Sequence, residues 1–367
     1  MKPYEPHVLP LSGLDYKRLF ALVGTANAEL ARYDGLLQGI INPAVMLSPL
    51  TNEEAVLSSR IEGTQATVDE VLEQEAGLIK EGEKYKDIQE IINYRQALRS
   101  AHHYLAERPI TLSFVRELHK ILMSSVRGED KTPGEFRQDQ NWIGKPGCSI
   151  EEATFVPPDP LQLQNHLENL QAYIASNDID VLLQSAVMHA QFELLHPFKD
   201  GNGRIGRLLI PLFFFHKKVL SQPMFYLSSF LDLHRDEYYD SLQRISQAKD
   251  WNDWIAFFLS AIAIQAKENS RKVRAIMDLY ADMKVRVYEL THSQYSIQVL
   301  DTLFNRPIFK TTDFISETGI NKPTAMGILR QLKTAGVLRD LKAGSGSRPG
   351  VLCFPALISI AEGKRLI

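Results

Sequence analysis

Apolar residues recur at three- and four-residue intervals over most of this chain, which predicts a helical body from Leu14 to about Leu290. The strongest segments run from Tyr16 to Tyr33, Tyr85 to Ala106, Leu112 to Ser125, Leu161 to Ala175, Val181 to Leu195, Gly203 to Lys217, Arg235 to Ala248 and Trp251 to Glu289. Pro211 should kink the segment that contains it, because it lacks an N–H and crowds the preceding turn. Thr51-Asn52-Glu53-Glu54 has the form of a capping box. It would open another helix through Ala55, Leu57 and Ile61, closed by Glu62 ahead of Gly63. Between Asn141 and Pro158 the helical spacing disappears, and Gly144, Pro146 and Gly147 separate short extended runs, which reads as a β-hairpin. Val156-Pro157-Pro158-Asp159-Pro160 lacks most donors of a central strand and leads out of that hairpin.

After Thr291 the pattern changes. Helices are expected over Ile297 to Asn305, Asp313 to Thr318 and Pro323 to Ala335, with Gly336 as a stop. Extended runs Val337 to Leu341 and Val351 to Phe354 then flank a loop from Gly344 to Gly350. Three helices followed by a two-stranded wing resemble a winged helix-turn-helix. The chain therefore divides on paper into an N-terminal helical region 1–110, a core with its long following helix 111–290, and a small module 291–367.

Composition narrows the class. A chain of 367 residues with 44% hydrophobic residues supports a globular fold throughout, and a net charge of −3 argues against general coating of nucleic acid. From Asp301 onward, however, ten Lys and Arg stand against five Asp and Glu. Lys322, Thr324, Arg330 and Lys333 on the third helix, with Arg348 on the wing, are candidate DNA contacts; such modules equally serve as protein-docking units. Cys148 and Cys353 are the only cysteines, so a disulfide framework or cysteine-rich zinc site is not expected and a reducing cytoplasm is. The N-terminus shows no apolar signal segment, and the most apolar run, Leu208 to Phe215, falls far short of the ~20 residues that span a bilayer. No membrane association is expected.

The chemistry concentrates in His196-Pro197-Phe198-Lys199-Asp200-Gly201-Asn202-Gly203-Arg204-Ile205-Gly206-Arg207. Within twelve positions it holds a base, a carboxylate suited to a divalent cation, glycines that admit a ligand to the backbone, and two arginines. Successive N–H groups running into a helix start form an anion nest. Gly201 to Gly206 also satisfies G-x-G-x-x-G. The preceding segment is helical rather than a strand, and no ribose-binding acid follows about 20 residues later, so the dinucleotide reading fails.

The segment resembles the Fic family signature, His-x-Phe-x-(Asp/Glu)-Gly-Asn-Gly-Arg-x-x-Arg, at every fixed position. The resemblance covers roughly Thr111 to Phe258. It implies a mostly α fold: a Fic helical core with a small β-hairpin flap, here followed by the winged helix-turn-helix. It implies transfer of AMP from ATP to a Ser, Thr or Tyr hydroxyl of a target protein, with Mg²⁺ (or Mn²⁺). His196 would be the general base and Asp200 the metal ligand. Gly201, Asn202, Gly203 and Arg204 would hold the phosphates, and Arg207 the terminal one. The target segment would dock on the flap at 141–158 by strand-like pairing. Tyr238 and Tyr239 are candidate adenine contacts, and Trp251 and Trp254 follow them.

Ser58 and Glu62 lie four apart and share a helical face. Ser58-Ser59-Arg60-Ile61-Glu62-Gly63 resembles the family's inhibitory motif, (Ser/Thr)-x-x-x-Glu-(Gly/Asn), whose glutamate pairs with the second arginine of the signature. Autoinhibition through Glu62 and Arg207 is the expectation. Transfer of UMP or phosphate, removal of AMP, and a DNA-binding regulator with a nucleotide-sensing core are the alternatives. A homodimer is compatible with the sequence.

Overall fold

The computed structural model describes residues 2–75, 83–124, 131–145, 147–178, 180–344 and 349–362. Helices dominate, in the order α1 (Tyr16–Gln38), α2 (Pro43–Met46), α3 (Ser48–Ile61), α4 (Val68–Glu75), α5 (Glu83–Leu105), α6 (Leu112–Leu122), α7 (Pro160–Ala175), α8 (Val181–Leu195) and α9 (Asn202–His216). They continue as α10 (Ser228–Leu233), α11 (Arg235–Ala248), α12 (Trp251–Thr291), α13 (Ser296–Asn305), α14 (Thr311–Thr318), α15 (Lys322–Thr334) and α16 (Pro355–Glu362). Three short strands, β1 (Ile308–Lys310), β2 (Arg339–Lys342) and β3 (Val351–Cys353), form one antiparallel sheet.

The chain forms two compact units. One comprises Met1–Asp34, Leu57–Thr64 and Ile92–Lys267; the other comprises Gly35–Val56, Gln65–Ile91 and Glu268–Ile367. The last turn of α3 therefore belongs to the first unit and its beginning to the second.

In the first unit α8 is the axis of the core. Nearly every side chain from Leu182 to Leu195 is buried, as expected of a helix whose apolar residues are spread around its circumference, and Gln184, Ser185, His189 and Gln191 are buried with them. The Asp180 carboxylate starts it by accepting from the N–H groups of Leu182 (2.8 Å) and Leu183 (3.2 Å). The neighbouring helix α7 begins the same way, with Asp159 accepting from Leu161 N–H at 2.9 Å and Pro160 at the first helical position. α9 is buried from Asn202 to Phe214 and runs through Pro211 without a break.

After α12 the second unit continues in the order α13, β1, α14, α15, β2, β3, then α16. The central strand β3 is buried at all three positions and pairs with β1 (Phe309 opposite Leu352) and with β2 (Asp340 opposite Leu352). β2 is exposed along its length, so it is an edge. Phe304, Phe309, Phe314, Leu332 and Phe354 fill the core beneath. A buried ion pair, Lys272 Nζ to Glu53 at 2.6 Å, ties the start of α3 to α12, and the same ammonium donates to the Ala361 carbonyl of α16 at 2.8 Å.

Some elements differ from the sequence expectation. α3 starts at Ser48, so Thr51 lies inside the helix and bonds back to the Leu47 carbonyl at 3.2 Å instead of capping. Pro49 sits comfortably in that first turn, where a missing N–H costs nothing. The hairpin at 141–158 is reduced to one bridge pair, Ile143 with Phe155, and a short 3₁₀ turn at Ile150–Glu152. Strand β1 and helix α16 were not anticipated. Pro146 of the flap and the wing residues 345–348, Arg348 among them, lie outside the described residues.

Candidate active site

His196 is where α8 stops. Its backbone adopts the left-handed conformation (φ 46°, ψ 60°) while its N–H still bonds to the Phe192 carbonyl at 3.1 Å, so the chain turns sharply and presents the imidazole to a cleft. Histidine tolerates this region better than bulky or β-branched residues do. A buried arginine from the preceding loop braces the turn. Arg137 donates to the carbonyls of His196 (3.0 Å), Pro158 (2.6 Å), Leu195 (3.4 Å) and Asp139 (3.3 Å), and its own N–H bonds Pro197 O at 2.8 Å. A guanidinium at a helix C-terminus satisfies carbonyls that the helix leaves without partners and complements its dipole. Burial pushes the His196 imidazole down to about 4, against the pull of the Glu62 charge and the Glu193 carbonyl. At neutral pH the ring is an unprotonated base.

The loop that follows is pinned from within. Asn202 accepts from Phe198 N–H and donates to Phe198 O, both at 2.8 Å, so its side chain shapes the loop and only its main-chain N–H is left for a ligand. The Phe198 ring is fully buried and stacks on His119, 3.7 Å between centroids and 2° from parallel. His119 in turn accepts from Gly134 N–H at Nδ1 (2.8 Å), which leaves Nε2–H to donate to the Asp200 carbonyl (3.0 Å). Burial holds this imidazole down to about 4, so it stays neutral. Gly201 then takes a left-handed conformation (φ 76°) as the N-cap of α9. The Asp200 carboxylate accepts from Gly201 N–H (2.6 Å) and Arg204 (3.4 Å), and 43% of its side chain is exposed.

Arg207, one turn into α9, faces the end of α3. Its guanidinium donates to the Ser58 hydroxyl (3.0 Å), the Ser58 carbonyl (2.8 Å) and the Glu62 carboxylate (2.6 Å). The helix end explains why these groups are available. Gly63 N–H bonds to Arg60 O (2.9 Å) and Thr64 N–H to Ser59 O (3.2 Å), a Schellman closure that requires a left-handed residue after the cap. Gly63 supplies it at φ 98°. Glu62 N–H bonds Ser59 O at 3.1 Å, three residues back, which leaves the Ser58 carbonyl to Arg207. Arg60 fastens the same turn to α10 through Asp232 at 2.5 Å. Burial disfavours the Glu62 charge, but Arg207, with Arg204 and His196 behind it, holds the carboxyl below the usual range. Burial also opposes charge on Arg207, and Glu62 overrides it, raising the guanidinium above its ordinary value. A Cβ at Gly203 would collide with Glu62 Oε1, so the carboxylate rests on the first turn of α9.

These groups line one cleft of about 610 Å³, walled by Glu62, His196, Gly203, Arg207, Glu193 and Tyr239, with Trp142, Ile143, Thr154 and Phe155 of the flap across from them. The flap closes through Ile143 N–H to Phe155 O (2.9 Å) and Phe155 N–H to Ile143 O (3.1 Å), with Trp142 and Ile143 exposed on it. Of the two tyrosines, Tyr239 reaches the cleft and is 40% exposed, whereas Tyr238 is in the core with its hydroxyl on His189 Nε2 at 2.9 Å. Trp254 is also core, donating to the Ala186 carbonyl at 2.8 Å. Trp251 packs edge-on against His7. Sequence reasoning missed Arg137, His119 and Glu193. A signal existed for Glu193, the one Asp, Glu, Lys or Arg in the mostly apolar run from Val181 to Leu195. Nothing local marked the other two, because their partners are carbonyls and rings distant in sequence. Among the described residues no group of three or more His, Cys, Asp or Glu could hold a metal ion.

Residues 20–103 match the model of the Fic/DOC family N-terminal region and residues 109–214 that of the Fic/DOC family, together more than half of the chain. A "Probable protein adenylyltransferase" of Aquifex aeolicus is 28% identical over 170 residues, which are 45% of this chain and 48% of that protein. The protein adenylyltransferase fic-1 of Caenorhabditis elegans is 26% identical over 144 residues, 38% of this chain and 26% of that protein. The matched segments thus span half or less of these relatives. A solved Fic family protein from Desulfovibrio desulfuricans has the same fold over 96% of this chain and 98% of its own, with a TM-score of 0.60 at 16% identity. A structure of Fic-1 residues 134–508 from C. elegans gives a TM-score of 0.53 at 19% identity over 71% of this chain and 73% of its own. The cleft is built from the signature on which the resemblance was first drawn, and the chain belongs to the Fic family.

Proposed function

We propose that this protein transfers AMP from ATP to a hydroxyl side chain of a target protein and that Glu62 restrains the reaction by occupying Arg207. The observation that carries the reading is the juxtaposition in one cleft of an unprotonated imidazole, His196, an anion seat at the start of α9, and an arginine already held by a carboxylate. The relatives named as protein adenylyltransferases support the class of reaction.

In this reading the main-chain N–H groups of the first α9 turn and Arg204 hold phosphate oxygens, and Arg207 holds the terminal phosphate once Glu62 leaves. The target hydroxyl gives its proton to His196 as its oxygen bonds the α-phosphorus, and pyrophosphate departs with the electrons of the broken P–O bond. Asp200 fits a Mg²⁺ ion that arrives with the nucleotide, since such ions take one or two carboxylates and fill their shell with phosphate oxygens and water. The ion would supply charge neutralisation at the phosphates. Tyr239, which lines the cleft, would meet the base. The flap, with Trp142 and Ile143 exposed on it, is where the target segment would dock. In the second unit the order of helices and strands supports a winged helix-turn-helix, with Lys322 and Arg330 exposed on α15.

The test is labelling from α-³²P-ATP. Glu62→Gly should raise incorporation at least about tenfold, including onto the protein itself, because removing one partner of a buried charge pair shifts the competition by more than ~1.4 kcal/mol. Equal labelling of wild type and Glu62→Gly would defeat the restraint, and His196→Ala should abolish labelling in both. Intact mass with ATP and other nucleotides identifies the transferred group: an added AMP supports the proposal, another adduct replaces it.

A further inference from the structure

Glu193 projects from the last turn of α8 into the same cleft, and its surroundings do not suit an ionised carboxylate. Its Oε1 is buried with no hydrogen-bond partner among the described residues. The nearest candidate donor, His189 Nε2, stands 4.0 Å away, beyond hydrogen-bond reach. That nitrogen is also committed. His189 Nδ1 faces the Gly206 carbonyl at 3.1 Å and must carry the proton, so Nε2 accepts from the Tyr238 hydroxyl. The carboxyl lies over Gly206, where a Cβ would collide with Glu193 Oε1 in its present position. The groups facing it are Glu62 from α3, Arg207 from α9, His189 and His196 from α8 and its end, and Tyr238 and Tyr239 from α11. Arg207 is the cation among them, and Ser58 and Glu62 already occupy it.

Two carboxyls thus face one guanidinium, and only Glu62 is bonded to it. We propose that Glu193 is a second, proton-controlled carboxyl of the Arg207 site: protonated, it leaves Arg207 to Glu62 or to an anionic ligand, and ionised, it competes with both. Burial, with the Glu62 charge adding to it and Arg207 opposing it, raises the Glu193 carboxyl to about 8. The neutral acid is therefore the resting form at neutral pH. When Glu62 is removed, its share in holding Glu193 protonated goes with it, and Glu193, though still raised by burial, ionises at lower pH beside a vacated Arg207. Loss of Glu62 then releases only part of the restraint.

The coupling of the two carboxyls stands apart from the proposed transfer reaction; only the choice of triphosphate as competing anion rests on it. ¹³C NMR of protein labelled at the glutamate carboxyl carbons reads the coupling directly. One glutamate should titrate far above the ordinary range, its signal should vanish in Glu193→Gln, and in Glu62→Gln its midpoint should fall by about one pH unit or more. No glutamate titrating above about pH 6, or a midpoint indifferent to Glu62→Gln, overturns the proposal. Because Glu62→Gln leaves Glu193 in place, the titration decides even where Glu193→Gln fails to fold. ATP binding by calorimetry supplies the second arm. Between about pH 6.5 and about pH 9, Glu62→Gln should lose about tenfold in affinity, as a like charge enters the site, while Glu62→Gln/Glu193→Gln should lose less than about twofold. Parallel losses overturn the competition. The expected titration with no ATP binding by any variant upholds the Glu193–Glu62 coupling and counts against the nucleotide site instead.

Discussion

At the scale of single residues, on the proposed function, the ionisation of His196 decides when the cleft can work. An imidazole lowered to about 4 is neutral through the physiological range, and it becomes cationic in the folded protein only as pH approaches that value. The sign follows: the folded state resists a proton that the unfolded chain accepts near ~6.5, so His196 costs stability as pH falls between those two values. For activity, the acid limb of kcat/KM for AMP transfer by Glu62→Gly should lie below about pH 5, well under that of an ordinary histidine. Deleting Glu62 removes a charge that raises the imidazole, so the limb moves down rather than up. A limb near ~6.5 in the pH–rate profile would show a solvent-like imidazole and refute the burial argument. The signature residues were legible because their types are the chemistry. What was not legible is the division of labour among them. Asn202 is spent on the Phe198 main chain, and Tyr238 on His189.

At the scale of elements, the last turn of α3 is where the proposed restraint would reside. Its glycine is required by the left-handed backbone at Gly63, which closes the Schellman motif and orients Glu62 at the cap. Gly63→Ala should cost roughly 1 kcal/mol through its positive φ, while Gly63→Asn, which tolerates this conformation, should cost less. The prediction is graded: lower melting temperature and higher AMP incorporation for Ala than for Asn, with Glu62 unchanged. Equal incorporation by both variants, despite unequal melting temperatures, would separate the helix end from the restraint. Sequence placed the end of this helix correctly because glycine marks it. It misplaced the beginning, since Thr51 to Glu54 has a capping pattern that the longer helix from Ser48 makes redundant. Strand β1 escaped notice because three residues are too few to display alternation, and its pairing with β3 is supplied from more than forty residues away.

At the scale of the whole molecule, the residues after Thr291 fall in the second compact unit together with 35–56, 65–91 and 268–291. The sheet order β1-β3-β2 and the exposed basic side chains of α15 give the second unit a surface of its own. Lys333 is bonded to Asp340 at 2.6 Å, so Lys322 and Arg330 are the described cations of α15 most available to phosphates. With two contacts at about −0.9 each, the log–log salt dependence of DNA retention should have a slope near about −2, a weak and salt-labile interaction in a gel-shift assay. No retention at low salt would remove the DNA reading. Among the described residues no helix is long and apolar enough to cross a membrane.

Gly203 carries a consequence for how the protein would respond to its surroundings. With no Cβ in the way, the Glu62 carboxylate sits on the first turn of α9, the seat any incoming anion would want. On the proposed function, this makes α3 a tethered competitor whose effective concentration is set by chain geometry and does not change with dilution. The apparent dissociation constant of the nucleotide is then its intrinsic value divided by the fraction of molecules whose seat is vacant. Every ~1.4 kcal/mol gained or lost in the hold of Glu62 on Arg207 moves the nucleotide threshold tenfold. The end of α3 is in that sense a dial, and its setting is the ATP level at which the enzyme switches on.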